Sequence, residues 1–346
     1  MSIHDKKSVA NIIKRNKRID NILNTAYNDL ALRSKTVKGI AFNNVLRKEI
    51  KALRTSLKAN ITKEITQQWN LGSTKIKETM NDYLDKVGKG VNIPDEINQT
   101  LRAPNLNAMN TFLDRTERGM NLSKKIWRTT KMAQTQIQDF LASGVTTGKS
   151  AIQTARSLKQ FMKGTPIIYK GTLIKGSNIN FQAIRLAATE ANMAFRLSEE
   201  VKIKKLPFVT GQNIDIGGGH PRPDICDELA GDYPKDFIWG GWHPLCICVR
   251  TWKMVSKKEF VKMMKTGKVL KGNLVRRIPV RAKAFMKTNL KRFKGYIGRG
   301  TEPYWMRDNF TKELTLRDSI GSPVPPVVPP VSPIVPITPK GNYISE

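Results

Sequence analysis

All three cysteines of this chain and two of its three histidines fall between positions 220 and 248. The stretch runs His220-Pro-Arg-Pro-Asp-Ile-Cys226 and then, after a glycine- and proline-containing reversal, Trp242-His243-Pro-Leu-Cys246-Ile-Cys248. Thiolate sulfur and imidazole nitrogen are zinc ligands, and a closed structural site takes four of them around a tetrahedron. The step from His243 to Cys246 places both side chains around one tight turn. Cys246 and Cys248 are two apart, so in extended chain they point to the same side. Gly231, Pro234, Gly240 and Gly241 lie between the arms and permit the chain to fold back. The expected ligand set is Cys226, His243, Cys246 and Cys248, with His220 as an alternative to one of them, and the expected ion is a structural zinc. The competing reading is an aromatic-lined turn in which Trp239, Trp242 and the cysteines only pack. Three cysteines do not close a disulfide framework, which favours metal ligation in a reducing compartment.

A catalytic role for such a metal finds no support. A zinc deaminase needs His-x-Glu followed by Pro-Cys-x-x-Cys; here Cys-x-Cys follows His-Pro, and there is no His-x-Glu. His-Glu-x-x-His and the serine hydrolase elbow are also absent from the sequence. Asp224, Asp227 and Glu228 suit the first turn of a helix starting at Asp224, where negative side chains are favoured. Glu190 reads as a buried or ion-paired structural carboxylate. Gly217-Gly-Gly219 lacks the Gly-Lys-Ser/Thr that would make it a phosphate cradle. The chain therefore reads as a non-enzyme.

The elements that must position these residues are mostly helical. Val9, Ile12, Ile13, Ile19, Ile22, Leu23, Ala26 and Leu30 recur at helical spacing, as do Phe42, Val45, Leu46, Ile50, Leu53, Leu57, Ile61 and Ile65. A shorter helix is predicted over 73–87, then a Pro/Asn-rich break near 92–106. Helices are predicted over 122–142 (capped by Asn121 or Ser123), from Ser150 to about Met162, and from about Phe181 to Lys202. Residues 166–178 read as a Gly/Lys-rich connection and Leu206–Thr210 as a strand. The fold class is mainly α (α+β), with a small Cys/His-rich, zinc-stapled lobe. Four regions follow: a basic helical arm (1–120), a core with the lobe at 220–248 (121–252), a basic extension (253–320) and a Pro-rich disordered tail (321–346).

Charge narrows the partners. The 346 residues carry 60 Lys and Arg against 28 Asp and Glu, a net charge of +32. Residues 1–66 hold fifteen basic and five acidic residues, and 253–312 hold eighteen and three. Such a surplus resists compaction unless it meets a polyanion or an acidic surface, and nucleic acid releases counterions when its phosphates are neutralised. The N-terminus has no signal-like apolar run and no stretch is long enough to span a membrane. The expectation is a soluble protein, made in a cytoplasm, with no membrane partner.

The ordered pattern Cys226-Asp-Glu-Leu229-Ala-Gly231, then His243-Pro244-Leu-Cys246-Ile-Cys248, resembles the C-terminal signature of the phage head-morphogenesis proteins, the Mu protein F-like minor capsid family. Leu122-Ser-Lys-Lys-Ile-Trp127, Gly148-Lys-Ser150-Ala151 and Ala188-Thr189-Glu190-Ala-Asn192-Met-Ala resemble the helical region preceding that signature. Pro303-Tyr304-Trp-Met-Arg307-Asp308-Asn309 resembles a segment that follows it. The likeness covers roughly residues 120–310. Many members carry Cys-Pro-x-Cys in the first arm; here Pro223 occupies the earlier cysteine position, so only Cys226 carries over and His220 stands as its substitute. The resemblance implies a low-copy structural component of a tailed-phage head, found in the virion and in the host cytoplasm during assembly. Its implied partners are the portal protein, capsid and scaffold proteins, and packaged phage DNA. The alternatives are a phage-encoded enzyme, of toxin-like transferase or nuclease type, and a DNA-binding protein blind to sequence.

Overall fold

The structure, a computed structural model, describes residues 2–34, 39–103, 105–146, 151–162, 164, 167–169, 172–174, 179–216, 223–267, 274–318 and 320. His220, the Gly217–Gly219 run, Ser150 and the Pro-rich stretch 321–346 lie outside the described residues. The chain is mainly helical, with one small three-stranded sheet and one two-stranded hairpin among the described residues.

Helix α1 (Ile3–Arg33) begins in a capping box, in which the Ser2 hydroxyl accepts from Asp5 N–H and the Asp5 carboxylate accepts from Ser2 N–H. Two donors that a helix start leaves unsatisfied are thereby paired. Its buried face is Ile19, Leu23, Tyr27 and Leu30, whereas Ile13 points to solvent. Helix α2 (Gly39–Val87) runs 49 residues without interruption, so the helix predicted over 73–87 is the second half of one long helix. Gly72, just before the predicted start of that second helix, serves as a crossing point. A methyl group there would lie 2.2 Å from both the Phe195 carbonyl oxygen and Ser198 Oγ, so only glycine lets the two backbones approach this closely.

Short helices α3 (Asp95–Arg102) and α4 (Leu106–Asp114) fill the segment read as a break. Helix α5 (Leu122–Thr146) starts as expected at Asn121, whose Oδ1 accepts from Lys124 N–H. Helix α6 (Ala151–Met162) follows, then a hairpin of β1 (Ile167–Tyr169) and β2 (Thr172–Ile174) inside the connection read as loop. Helix α7 (Ile179–Ile203) packs against α1, α2, α4 and α5.

The sheet has the order β4-β3-β5, all antiparallel, from β3 (Val209–Asp215), β4 (Gly231–Tyr233) and β5 (Val249–Met254). The strand expected over 206–210 therefore begins at Val209, after two turn hydrogen bonds, Leu206 to Ile203 and Val209 to Leu206. Gly211, Gln212 and Asn213 are poor strand formers, which hid it. Gln212 is fully buried because its amide donates to the carbonyls of Pro234 and Phe237 while its oxygen accepts from Arg250. Helix α8 (Ile225–Leu229) lies between β3 and β4, and α9 (Lys257–Thr266), α10 (Val280–Thr288), α11 (Leu290–Gly298) and α12 (Tyr304–Asn309) complete the chain.

Two apolar clusters result. The larger takes in α1, the first half of α2, α5 to α7, the Cys/His lobe and α12. The smaller joins the second half of α2 to α3, the strand ends Val209 and Trp252, and α9. No helix among the described residues is long and apolar enough to cross a membrane.

Alanine normally stabilises a helix interior relative to glycine by about 1 kcal/mol. Gly72→Ala is expected to reverse that sign, destabilising by about 2 kcal/mol because two helices must separate. Gly298→Ala, where a methyl group meets open space, should stay within about 0.5 kcal/mol of wild type. Urea melts of both decide it, and equal midpoints for wild type and Gly72→Ala would show that the crossing is not tight.

Candidate metal centre

The Cys/His lobe is supported from behind by α7. Arg196 on that helix is buried and donates to three backbone carbonyls, those of Gly240 (2.9 Å), Cys246 (2.7 Å) and Cys248 (2.9 Å). Its guanidinium also lies 4.3 Å from the centroid of the Trp239 ring. Asn192, one turn earlier, donates to the Cys246 carbonyl as well, at 3.2 Å. Gly241, at φ +128°, is where the chain passes directly over this arginine: any side chain there would meet Arg196 Nη1 at 2.4 Å. The ligand-bearing turn is thus fixed by one helix before any ligand is considered.

Within the turn, the Cys246 N–H donates to the His243 carbonyl across Pro244 and Leu245. Leu245 has φ +65°, an uncommon conformation for a residue with a Cβ. Proline at the second position and a positive φ at the third are the features of a type II turn. The opposite arm is α8, whose N-cap is Asp224, as expected from the sequence. Its carboxylate accepts from Cys226 N–H at 2.6 Å, and Asp227 accepts from Asp224 N–H at 2.7 Å.

Three of the five expected ligands converge. Cys226 Sγ lies 3.1 Å from His243 Nε2 and 3.9 Å from Cys246 Sγ, and the three ligand atoms all fall within 4.8 Å of one another. Metal–sulfur bonds of about 2.3 Å at a tetrahedral angle put two sulfurs about 3.8 Å apart, which the thiol pair matches. Cys248 is also buried but is not in the group that shares the 4.8 Å span. His220 lies outside the described residues. His243 Nδ1 meets the Pro244 carbonyl at 2.6 Å, which makes that nitrogen the donor and turns the Nε2 lone pair toward the sulfurs. Asp224 Oδ2 is 3.2 Å from the same Nε2. Cys226, His243 and Cys246 can therefore hold a metal ion, with Cys248 and Asp224 at its edge.

The thiols do not titrate alike. Hydrogen bonds from the Cys226 and Cys248 thiols, together with the Arg196 charge, hold Cys246 well below the ordinary cysteine range. Hydrogen bonding to Cys246 and Cys248, with burial, drives Cys226 upward. For Cys248 the Cys226 hydrogen bond pulls downward, but the Cys246 hydrogen bond and burial outweigh it and push the thiol up to about 12. A cation bound by these groups would displace the thiol protons, so its binding would strengthen as pH rises.

Around this centre run ion pairs that the sequence did not announce. Glu200 accepts from Arg250 (2.6 Å) and from Trp239 N–H (2.9 Å). Glu199 takes Lys75 (3.2 Å) and the Trp252 indole (3.0 Å), and Lys75 reaches on to Asp5 at 2.8 Å. Glu190 is buried and paired with Arg115 and with Lys125, as its structural reading required. The available sequence signal was weak: three charged residues, Glu199, Glu200 and Lys202, on a helix whose other faces are alanine-rich.

No family model matches this chain, and no curated protein or solved structure matches it either.

Metal analysis of protein purified without a histidine tag should find about one transition-metal ion per chain, since structural sites fill near stoichiometry. Cys246→Ser should empty the site and lower the melting midpoint by several degrees; unchanged metal content and midpoint would reject ligation. Arg196→Met should cost about 3–5 kcal/mol, because it leaves Gly240, Cys246 and Cys248 carbonyls without their charged donor. The same variant should make the three buried thiols react faster with a thiol reagent, whereas unaltered reactivity would mean that the turn holds without the arginine.

Proposed function

We propose that the protein is a structural minor head component of a tailed phage, acting at the portal and procapsid during head morphogenesis, with its Cys/His lobe stapled by zinc. The observation that carries the reading is that three of the segments resembling that family, in α7, the Cys/His lobe and α12, pack against one another. Asn192, from the α7 segment, bonds the Cys246 carbonyl of the second arm. Tyr304, from the last segment, donates to the His243 carbonyl at 3.1 Å. Trp305 meets Trp242 edge-on at 5.6 Å, and Asn309 exchanges two hydrogen bonds with the Ile238 backbone. Segments spread over more than a hundred residues thus form one constellation, as a shared architectural signature would.

Zinc is the ion that this donor chemistry favours. Two or three sulfurs with one imidazole select a soft, tetrahedral cation, and zinc adds no redox chemistry to a structural part. Contact with packaged DNA is favoured by charge. Residues 274–300 contain nine Lys and Arg and no acidic residue. Arg281, Lys283, Lys287, Lys291, Arg292, Lys294 and Arg299 among them are exposed on or just past α10 and α11. Phosphate contacts of that kind position a protein on DNA without reading sequence. The proposed location is the phage head, reached from the host cytoplasm during assembly.

Co-expression with the portal, scaffold and capsid proteins of the same phage tests the reading. The protein should sediment with procapsids and with isolated portal rings, and should bind unrelated duplexes equally, with affinity falling steeply as salt rises. Absence from both particles would overturn the head role, and selective binding of one duplex would favour a regulator instead.

A further inference from the structure

A cleft of about 990 Å³ opens beside the metal centre, between α5 and α7 on one side and the Cys/His lobe with α11 on the other. Its size matches small-molecule sites, which are few in any one protein and combine an apolar wall with a small number of directed polar groups. Charge and ring chemistry define what it suits. Four carboxylates line it, and each already has a side-chain partner. Glu117 and Glu190 share Lys125, Glu190 also holds Arg115, Asp224 meets His243, and Glu228 pairs with Arg281. Two lining arginines are left over. Arg128 of α5 and Arg185 of α7 are exposed and have no ion pair or side-chain hydrogen bond among the described residues.

The opposite wall is aromatic. Tyr296 and Tyr304 line it, and Arg292 lies 5.6 Å from the Tyr296 ring centroid while its Nε donates to the Tyr296 hydroxyl at 2.8 Å. Trp242 also lines the cleft. At 2 % exposure it backs the wall from behind. Leftover arginines select a phosphate, and a wall of planar tyrosine rings selects a flat heteroaromatic ring.

From this pairing we infer that the cleft binds a nucleotide, with Arg128 and Arg185 on the phosphate and the Tyr296–Tyr304 wall against the base. The inference is independent of the head role, because it rests on groups that need neither portal nor capsid. Inorganic phosphate would use the arginines and leave the wall bare, and a nucleoside would do the reverse. The nucleotide engages both.

Calorimetric titration of the full chain with AMP, adenosine, inorganic phosphate and the oligonucleotide (dT)10 tests it. AMP should bind saturably, and adenosine and phosphate each about tenfold or more weakly, since a charge-assisted contact is lost in one and the stacking in the other. An Arg128→Gln/Arg185→Gln variant, altered only at exposed positions, should lose about tenfold for AMP and nothing for adenosine. Tyr296→Ala should weaken AMP and adenosine together while leaving phosphate unchanged. Competition between (dT)10 and AMP would mean that the site accepts a nucleotide within a strand, and lack of competition that it takes the free nucleotide; both outcomes support the inference. It is overturned if neither AMP nor (dT)10 binds saturably, if phosphate binds as tightly as AMP, or if the double variant binds AMP as wild type does. Failure to sediment with procapsids would leave all of these results untouched.

Discussion

The molecule is organised by the need to satisfy charges on one buried helix. Helix α7 carries Glu190, Arg196, Glu199, Glu200 and Lys202 at 6 % exposure or less, where an unpaired charge is costly. Each is satisfied by a different part of the chain. Glu190 takes Arg115 and Lys125; Lys202 takes the Leu101 carbonyl; Glu199 and Glu200 share Arg250 and draw in Lys75. Through Lys75 the chain of pairs ends at Asp5, where the Lys75 charge and hydrogen bonds outweigh burial and keep the carboxyl below its ordinary value. Replacing such a set by apolar residues need not lose stability, but removing one member strands its partner. The network therefore ties α1, α2, α7 and β5 together through mutually dependent pairs.

The Cys/His lobe inherits its shape from that helix. Arg196 holds three carbonyls of the ligand turn, so the thiols face one another because their backbone is tied to α7 from behind. Apolar packing does the rest. Trp239, Trp242 and Trp305 are almost completely buried and meet in tilted or edge-on pairs. A metal would close the front of a lobe whose back is already closed, so its role is to join α8 to the His243–Cys248 turn. The aromatic-packing reading of this stretch and the metal reading describe two sides of the same object.

Much of this was legible in the sequence wherever the signal is local. Helical periodicity located α1, α5 and α7 to within a few residues, and the acidic first turn marked Asp224 as an N-cap. The clustering of Cys226, His243 and Cys246 pointed to a common focus, and the chain brings those three together. The sheet was mostly hidden, because Gln212 is buried through hydrogen bonds to carbonyls that no side-chain pattern reveals. Nothing near Gly72 in sequence indicates that Phe195 passes overhead. The partners of Glu199 and Glu200 were invisible for the same reason: Arg250 is fifty residues away and Lys75 more than a hundred. Local rules describe segments, whereas satisfaction of buried charge is a property of pairs.

Helix α2 has a mechanical consequence. Forty-nine residues at 1.5 Å each make a rod about 74 Å long. Its first half, from Phe42 to Trp69, is embedded in the larger apolar cluster, and its second, from Ile76 to Val87, in the smaller. Between them Gly72 is clamped against α7, so the glycine at the junction of the two clusters is tightly flanked. A pull or torque on either cluster must then travel as strain along a single beam, since there is no joint at which to dissipate it. The two ends of the molecule are obliged to tilt together.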